Sequence, residues 1–199
     1  MATENKPLFE VKTYGSLEKL HLKRKVILPR QVHGTKVVNL NSGGEDLSST
    51  DGMITENPQL ILGIATADCA PVAFWEKNGR RWGIAHLGWR GLVAGLGQKM
   101  LSNFQAPQIF IGPFLERFEI QKDQCYLQIK KVFGESFFQV KEEDKIYFDF
   151  KSALASVFQE EGRISWDGRN TFDSSGLASW RRDKDSSGRN ITIIRRVIG

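Results

Sequence analysis

Residues 59–95 read QLILGIATADCAPVAFWEKNGRRWGIAHLGWRGLVAG, and this stretch decides the fold. Gln59–Thr66 and Pro71–Trp75 are short apolar runs rich in β-branched residues, and Trp82–Ala85 is another. Runs of that length between turn signals read as buried strands. Lys77-Asn78-Gly79-Arg80 separates the last two, and Asn-Gly predicts a type I′ hairpin. Beyond His86 the spacing becomes helical, with Leu92, Leu96, Met100 and Leu101 recurring every three to four residues across Trp89–Phe104. Towards the C-terminus, Ile109–Gly112 predicts a strand ended by Pro113. Asp123–Phe133 and Lys151–Glu161 predict helices, and Ile191–Val197 a closing strand. Towards the N-terminus, Leu17–Leu28 predicts an exposed strand and Lys36–Leu40 a further one. Gly43, Gly44 and three serines make Asn41–Thr50 a loop. The whole pattern is mixed α/β, without internal repeats. Its 199 residues suit one domain with mixed sheets flanked by helices.

Composition narrows the function classes. Two cysteines in unlike contexts make no disulfide framework, which points to a reducing, cytoplasmic setting. Met1–Pro7 is polar and no apolar run approaches the roughly 20 residues of a membrane helix, so neither an export signal nor a membrane is expected. The formal charge of +5 and a pI near 9.2 raise the question of nucleic acid. However, the basic clusters Lys23–Lys25, Arg80–Arg81, Arg181–Arg182 and Arg195–Arg196 are short, and acidic residues interrupt them. A solvated basic face is the expectation, and nothing implies a protein partner.

Only three histidines occur, and two of them stand with one cysteine at the ends of apolar strands. His33 lies in QVHG, Cys69 in ATADCAPV and His86 in GIAHLGWRG. Strand ends hold functional groups rigidly at a surface. Two imidazoles and a thiolate are good ligands for zinc, and three protein ligands leave one of four tetrahedral positions open for chemistry. The second cysteine, Cys125, sits within the helical run DQCYLQIKKVF and reads as a buried small residue.

The strings QVHGTKVV, DGMIT, TADCAPV, AHLGWRGLVAG and IGP resemble, in this order and at these approximate intervals, the laccase-domain family, also called polyphenol oxidoreductase or purine nucleoside phosphorylase proteins. LASWRRDKDSSGRNITII is similar to its C-terminal block, which usually ends in Ser-Tyr-Arg-Arg and a later Gly-Arg. The resemblance runs from about Gln31 to Arg195. It implies a zinc site of His33, Cys69 and His86, and a fold shared with deamidating cytotoxic necrotizing factor toxins. It also implies phosphorolysis or deamination of purine nucleosides such as adenosine, inosine or methylthioadenosine, so that a nucleoside and phosphate are the expected small-molecule partners. The chain departs from the family in having little before QVHG, FLERFEIQ after Ile111-Gly112-Pro113, and Asn170-Thr171 for the usual Cys-Thr. These departures bear on substrate choice and leave the triad intact.

Roles follow from residue type. Zinc lowers the pKa of a bound water, as deamination requires, or orients phosphate. Asp68, adjacent to Cys69, is read as a supporting carboxylate or general base, or else as a turn former. With Cys69 and His86 it makes the expected catalytic set. Arg90, Arg181 and Arg182 suit an anion, one of the paired arginines facing the site and the other solvent. Gln31 suits an adenine edge or a strand cap. The five tryptophans, at 75, 82, 89, 166 and 180, read as core, with Trp89 near enough to His86 to line a pocket. Three other functions stay open. One is a cysteine hydrolase or amidase with a Cys69–His86 dyad, and another a polyphenol oxidoreductase with mononuclear copper as the alternative metal. The third is a non-enzymatic, zinc-stabilised interaction protein. A four-copper centre needs far more than three histidines.

Overall fold

In a computed structural model, which describes residues 8–16, 22, 24–141, 144–159 and 163–197, the apolar run of residues 59–87 folds into the centre of two packed sheets. In chain order the strands are β1 (Phe9–Tyr14), β2 (Val26–Ile27), β3 (Val37–Leu40), β4 (Gly52–Thr55), β5 (Ile61–Thr66), β6 (Ala70–Trp75) and β7 (Trp82–Leu87). Helices α1 (Trp89–Val93) and α2 (Leu96–Leu101) follow. Then come β8 (Gln108–Ile111), β9 (Arg117–Ile120), α3 (Gln124–Phe133), β10 (Phe138–Val140), β11 (Ile146–Asp149), α4 (Phe150–Phe158), β12 (Arg163–Trp166), α5 (Trp180–Asp183) and β13 (Asn190–Arg196). The six-stranded mixed sheet has the order β12-β8-β6-β7-β4-β3. The four-stranded sheet runs β1-β13-β5-β2, and a three-stranded antiparallel sheet runs β10-β11-β9.

Side-chain alternation assigns the layers. On β6 and β7, Ala73, Trp82 and Ile84 join Leu62, Ile64 and Ile194 in a buried cluster between the two larger sheets. Val72, Phe74, Ala85 and Leu87 face the other way, onto α1, α2 and α4 through Leu92, Leu96, Met100 and Phe158. Strands covered on both faces read as unbroken apolar runs, because neither set of alternate residues meets water. The period of two puts His86 on the Trp82 and Ile84 side, at the end of the space between the sheets. β5 ends at the same place with Thr66, and the chain turns there through Ala67-Asp68-Cys69 into β6.

Several local expectations are corrected. The β6–β7 connection is a type I turn closed by Gly79 N–H donating to the Glu76 carbonyl at 2.9 Å, with Gly79 left-handed (φ 70°) and Asn78 not. The Asn78 side chain instead accepts from Arg80 N–H, which holds position 78 out of the φ > 0 pair that type I′ requires. The helix expected over Trp89–Phe104 is two short helices broken at Gly95 (φ 87°). The closing strand expected over Ile191–Val197 does form, as β13, and it lies in the interior of its sheet, paired to β1 on one side and β5 on the other. Of the strand expected over Leu17–Leu28, residues 17–21 and 23 lie outside the described residues, and β2 forms at its end. Lys23 of the first basic cluster, residues 1–7 and the last two residues of the Lys151–Glu161 helix lie outside them as well. No described helix is long and apolar enough to cross a membrane.

Candidate metal centre

The end of β7, the turn leading into β6 and the loop between β2 and β3 bring His86, Cys69 and His33 together, so that His33, expected at a strand end, is held by a loop instead. One ligand atom from each lies within 4.8 Å of the others. Cys69 Sγ is 3.8 Å from His33 Nε2, and the two imidazole rings meet edge to face with centroids 4.6 Å apart. A tetrahedral zinc spaces nitrogen and sulfur ligands about 3.5 Å apart, so the donor set fits a single ion after small side-chain adjustments. Gly88 keeps the space clear: a Cβ there would lie 2.9 Å from Cys69 Sγ and 3.0 Å from His33 Cδ2.

Asp51, which sequence reasoning passed over, organises two of the three. It is fully buried at the start of β4. His86 Nδ1–H donates to Asp51 Oδ1 at 2.8 Å, leaving Nε2 of the same ring for a metal or substrate. The backbone N–H groups of Val32, His33 and Gly34 also donate to the Asp51 carboxylate, at 3.2, 3.0 and 2.8 Å. His33 itself is left-handed (φ 62°), a conformation that costs a histidine about 1 kcal/mol or more. Three N–H groups converging on one anion hold that conformation. The only sequence signal for this role was the DG pair opening an apolar strand, which is common to many turns.

The charges of the triad are coupled. Burial pushes the Cys69 thiol up, but hydrogen bonds from His33 and His86 outweigh it and bring the thiol down to about 7. Burial pushes His86 down, and its bonds to Asp51 and Cys69 more than reverse that, raising it to about 9. The coupling shifts the metal-free triad toward thiolate beside imidazolium, with Asp51 held ionised. Burial opposes that ionisation, and the bonds from His86 and the 32–34 backbone prevail.

The triad lies in the wall of a cavity of about 660 Å³, which Gln31, Asp68, Trp89, Arg90, Phe118, Trp180, Arg181 and Arg189 also line. Asp68 is left-handed (φ 81°), and its two carboxylate oxygens accept from Thr171 Oγ1–H and Arg181 N–H, each at 2.7 Å. Gln31 is committed to Ala65, donating to its carbonyl at 2.8 Å and accepting from its N–H at 2.9 Å, which fills the edge of β5 beyond the short β2. Arg181 lines the cavity. Arg182, also expected to bind substrate, lies outside the cavity lining, and its side chain is partly exposed. It donates to the carbonyls of Thr171, Phe172, Ser174 and Leu177 and pairs with Asp183, tying the C-terminal loop together. Trp180, read as core, is 48% exposed at the cavity rim, whereas Trp82 is fully buried. The Thr66 hydroxyl, beside the triad, is buried without a hydrogen-bond partner.

Comparison with known proteins places this geometry. The family described as multi-copper polyphenol oxidoreductase laccase matches residues 12–197. The chain is 33% identical over 169 residues to a purine nucleoside phosphorylase of Aquifex aeolicus, covering 81% of this chain and 79% of the relative. It is 28% identical to a purine nucleoside phosphorylase of Staphylococcus epidermidis, covering 85% and 72%. A Neisseria meningitidis protein of known structure superimposes with a TM-score of 0.75 at 23% identity, over 86% of this chain and 74% of that one. A Bacillus licheniformis hypothetical protein gives 0.74 at 21%. These two structural likenesses speak for the fold alone.

Proposed function

Because this chain belongs to the multi-copper polyphenol oxidoreductase laccase family, in which its matched relatives are named purine nucleoside phosphorylases, we propose that it is a zinc-dependent purine nucleoside phosphorylase. The observation that carries the proposal is the convergence of two imidazoles and a thiol in the wall of a cavity large enough for a nucleoside. His33, Cys69 and His86 would hold the ion, and when bound it supplies Lewis acidity to a phosphate or sugar oxygen. The chain's own groups do the rest. Asp51 fixes the His86 ring and the His33 loop, so that both imidazoles keep their geometry without reorganising during reaction. Trp89, Phe118 and Trp180 offer ring faces to a purine, and the arginines offer positive charge. Adenosine, inosine and methylthioadenosine are the substrates to test, and deamination is the other outcome to score.

A second reading has its own observation. Cys69 is a lowered thiol beside two imidazoles, as a cysteine nucleophile requires, with His33 Nε2 at 3.8 Å and His86 also bonded to it. One experiment separates the two. Bound zinc is measured by mass spectrometry on wild type and His33→Ala, and base release from the three nucleosides is followed with and without phosphate. Release that needs phosphate, and falls together with zinc occupancy in the variant, is expected. Full activity in metal-free protein would overturn the zinc reading and leave the thiol as the reacting group.

A further inference from the structure

At one end of the space between the two larger sheets, a buried hydroxyl has nothing to bond. On β5 the period of two sets Leu62, Ile64 and Thr66 on the face turned to β7, where Trp82 and Ile84 lead to His86. Thr66 and His86 therefore end at the same edge of that space, 1% and 3% exposed, and Thr66 lines the cavity together with the triad. Its cross-strand partner Asn190 gives its amide to Ala178 instead, accepting from the N–H and donating to the carbonyl, each at 2.8 Å. Thr66 Oγ1 is left without a partner among the described residues. An enclosed hydroxyl without a hydrogen bond weakens the fold, which points to a use other than stability. With no bond to break, rotation about χ1 is enough to turn the oxygen towards the cavity.

The rest of the lining narrows that use. Outside the triad, the other side-chain acceptors of the cavity are already engaged. Gln31 Oε1 accepts from Ala65 N–H at 2.9 Å, and Asp68, turned to the C-terminal segment, accepts from Thr171 Oγ1–H and Arg181 N–H at 2.7 Å each. Arg90, Arg181, Arg189, Trp89 and Trp180 carry N–H donors alone. Such donors suffice for a ring nitrogen or a phosphate oxygen. They do not suffice for a ribose hydroxyl, which has a proton of its own to give. Thr66 is the one described lining side chain outside the triad with an unengaged acceptor, and a threonine hydroxyl pairs with another hydroxyl in either sense. We infer that Thr66 binds a ribose hydroxyl of the nucleoside and so makes the site select ribonucleosides over the deoxynucleoside that lacks that group. A polar group that only the right substrate can pair rejects the analogue by being left unpaired. The inference rests on the nucleoside reading above.

The test uses the zinc-loaded protein, with inosine and its 2′-, 3′- and 5′-deoxy analogues turned over in the presence of phosphate by wild type, Thr66→Val and Thr66→Ser. Wild type should disfavour one of the three analogues by roughly 10-fold or more in kcat/KM, which identifies the hydroxyl. Thr66→Val keeps the shape and removes the oxygen. It should lower kcat/KM for inosine by about as much and leave that one analogue as in wild type, so that the preference vanishes, and Thr66→Ser should restore it. Zinc content should match wild type, and the melting temperature of Thr66→Val should hold or rise, because the variant loses an unbonded buried hydroxyl. An equal loss on inosine and all three analogues, or a lower melting temperature, would overturn the assignment, since the hydroxyl would then serve the fold. If wild type turns over nucleosides without preference among the analogues, the nucleoside reading stands and this inference alone fails. If it turns over none of adenosine, inosine and methylthioadenosine, the nucleoside reading fails and the role of Thr66 falls with it.

Discussion

Cys69 and Cys125 are the two thiols of the chain, and their surroundings move them in opposite directions. Burial raises Cys69, but the two imidazoles bring it to about 7, whereas burial and then the Asp123 charge take Cys125 to about 11. A thiol whose pKa is lowered is the more ionised at a given pH. At pH 8 Cys69 is therefore about 90% thiolate and Cys125 about one part in a thousand. In metal-free protein at pH 8, iodoacetamide should alkylate Cys69 well before Cys125, the Cys69 rate should fall severalfold by pH 6, and zinc should protect it. Peptide mass spectrometry reads both sites at once, and labelling of Cys69 undiminished by zinc would mean that its sulfur is not a ligand. At this scale the sequence was legible where residue type is rare, as with two of only three histidines. It was silent on Asp51, because a buried aspartate shows its partners only after the chain has brought positions 32–34 and 86 around it.

Between β7 and α1 a single extended residue, Gly88 (φ −87°, ψ 170°), passes beneath the ligands. That backbone suits any residue, so alanine there introduces no torsional strain. Its Cβ would still fall 2.9 Å from Cys69 Sγ and 3.0 Å from His33 Cδ2, closer than such atoms approach. Gly88→Ala should push these two donors apart and, at an overpacking cost of about 1–3 kcal/mol, weaken zinc binding roughly 10- to 100-fold while the fold survives. Competition with a chromophoric chelator measures this, and wild-type affinity would show that the donors do not close around one ion. Elements with long, two-sided burial were the ones legible from pattern, β5 to β7 foremost. The short strands β9 to β12 were not, since each has three or four residues and β9, β10 and β12 are partly exposed, so alternation has too few positions to register. The interior position of β13 escaped for another reason: its partners, β1 and β5, lie far away in sequence.

Over the whole molecule, one carboxylate joins the His33–Cys69–His86 end of the cavity to the C-terminal segment. Asp68 accepts from Thr171 and from Arg181 N–H across sequence separations of 103 and 113 residues, and Arg182 then knots that segment to its own carbonyls. Trp180 and Arg181 thereby reach a site whose donors come from the first half of the chain. With both oxygens occupied, Asp68 is placed to position this wall rather than to take a proton from substrate. Asp68→Ala removes both acceptors and should raise KM for nucleoside and phosphate together, with kcat less affected and zinc content unchanged. Asp68→Asn keeps one acceptor oxygen and should fall between. A general base gives the opposite split: kcat collapses in both variants, KM holds, and the acid limb of the pH–rate profile disappears. Measuring kcat, KM and that limb for the two variants decides between a residue that moves protons and one that holds two halves of the cavity in register.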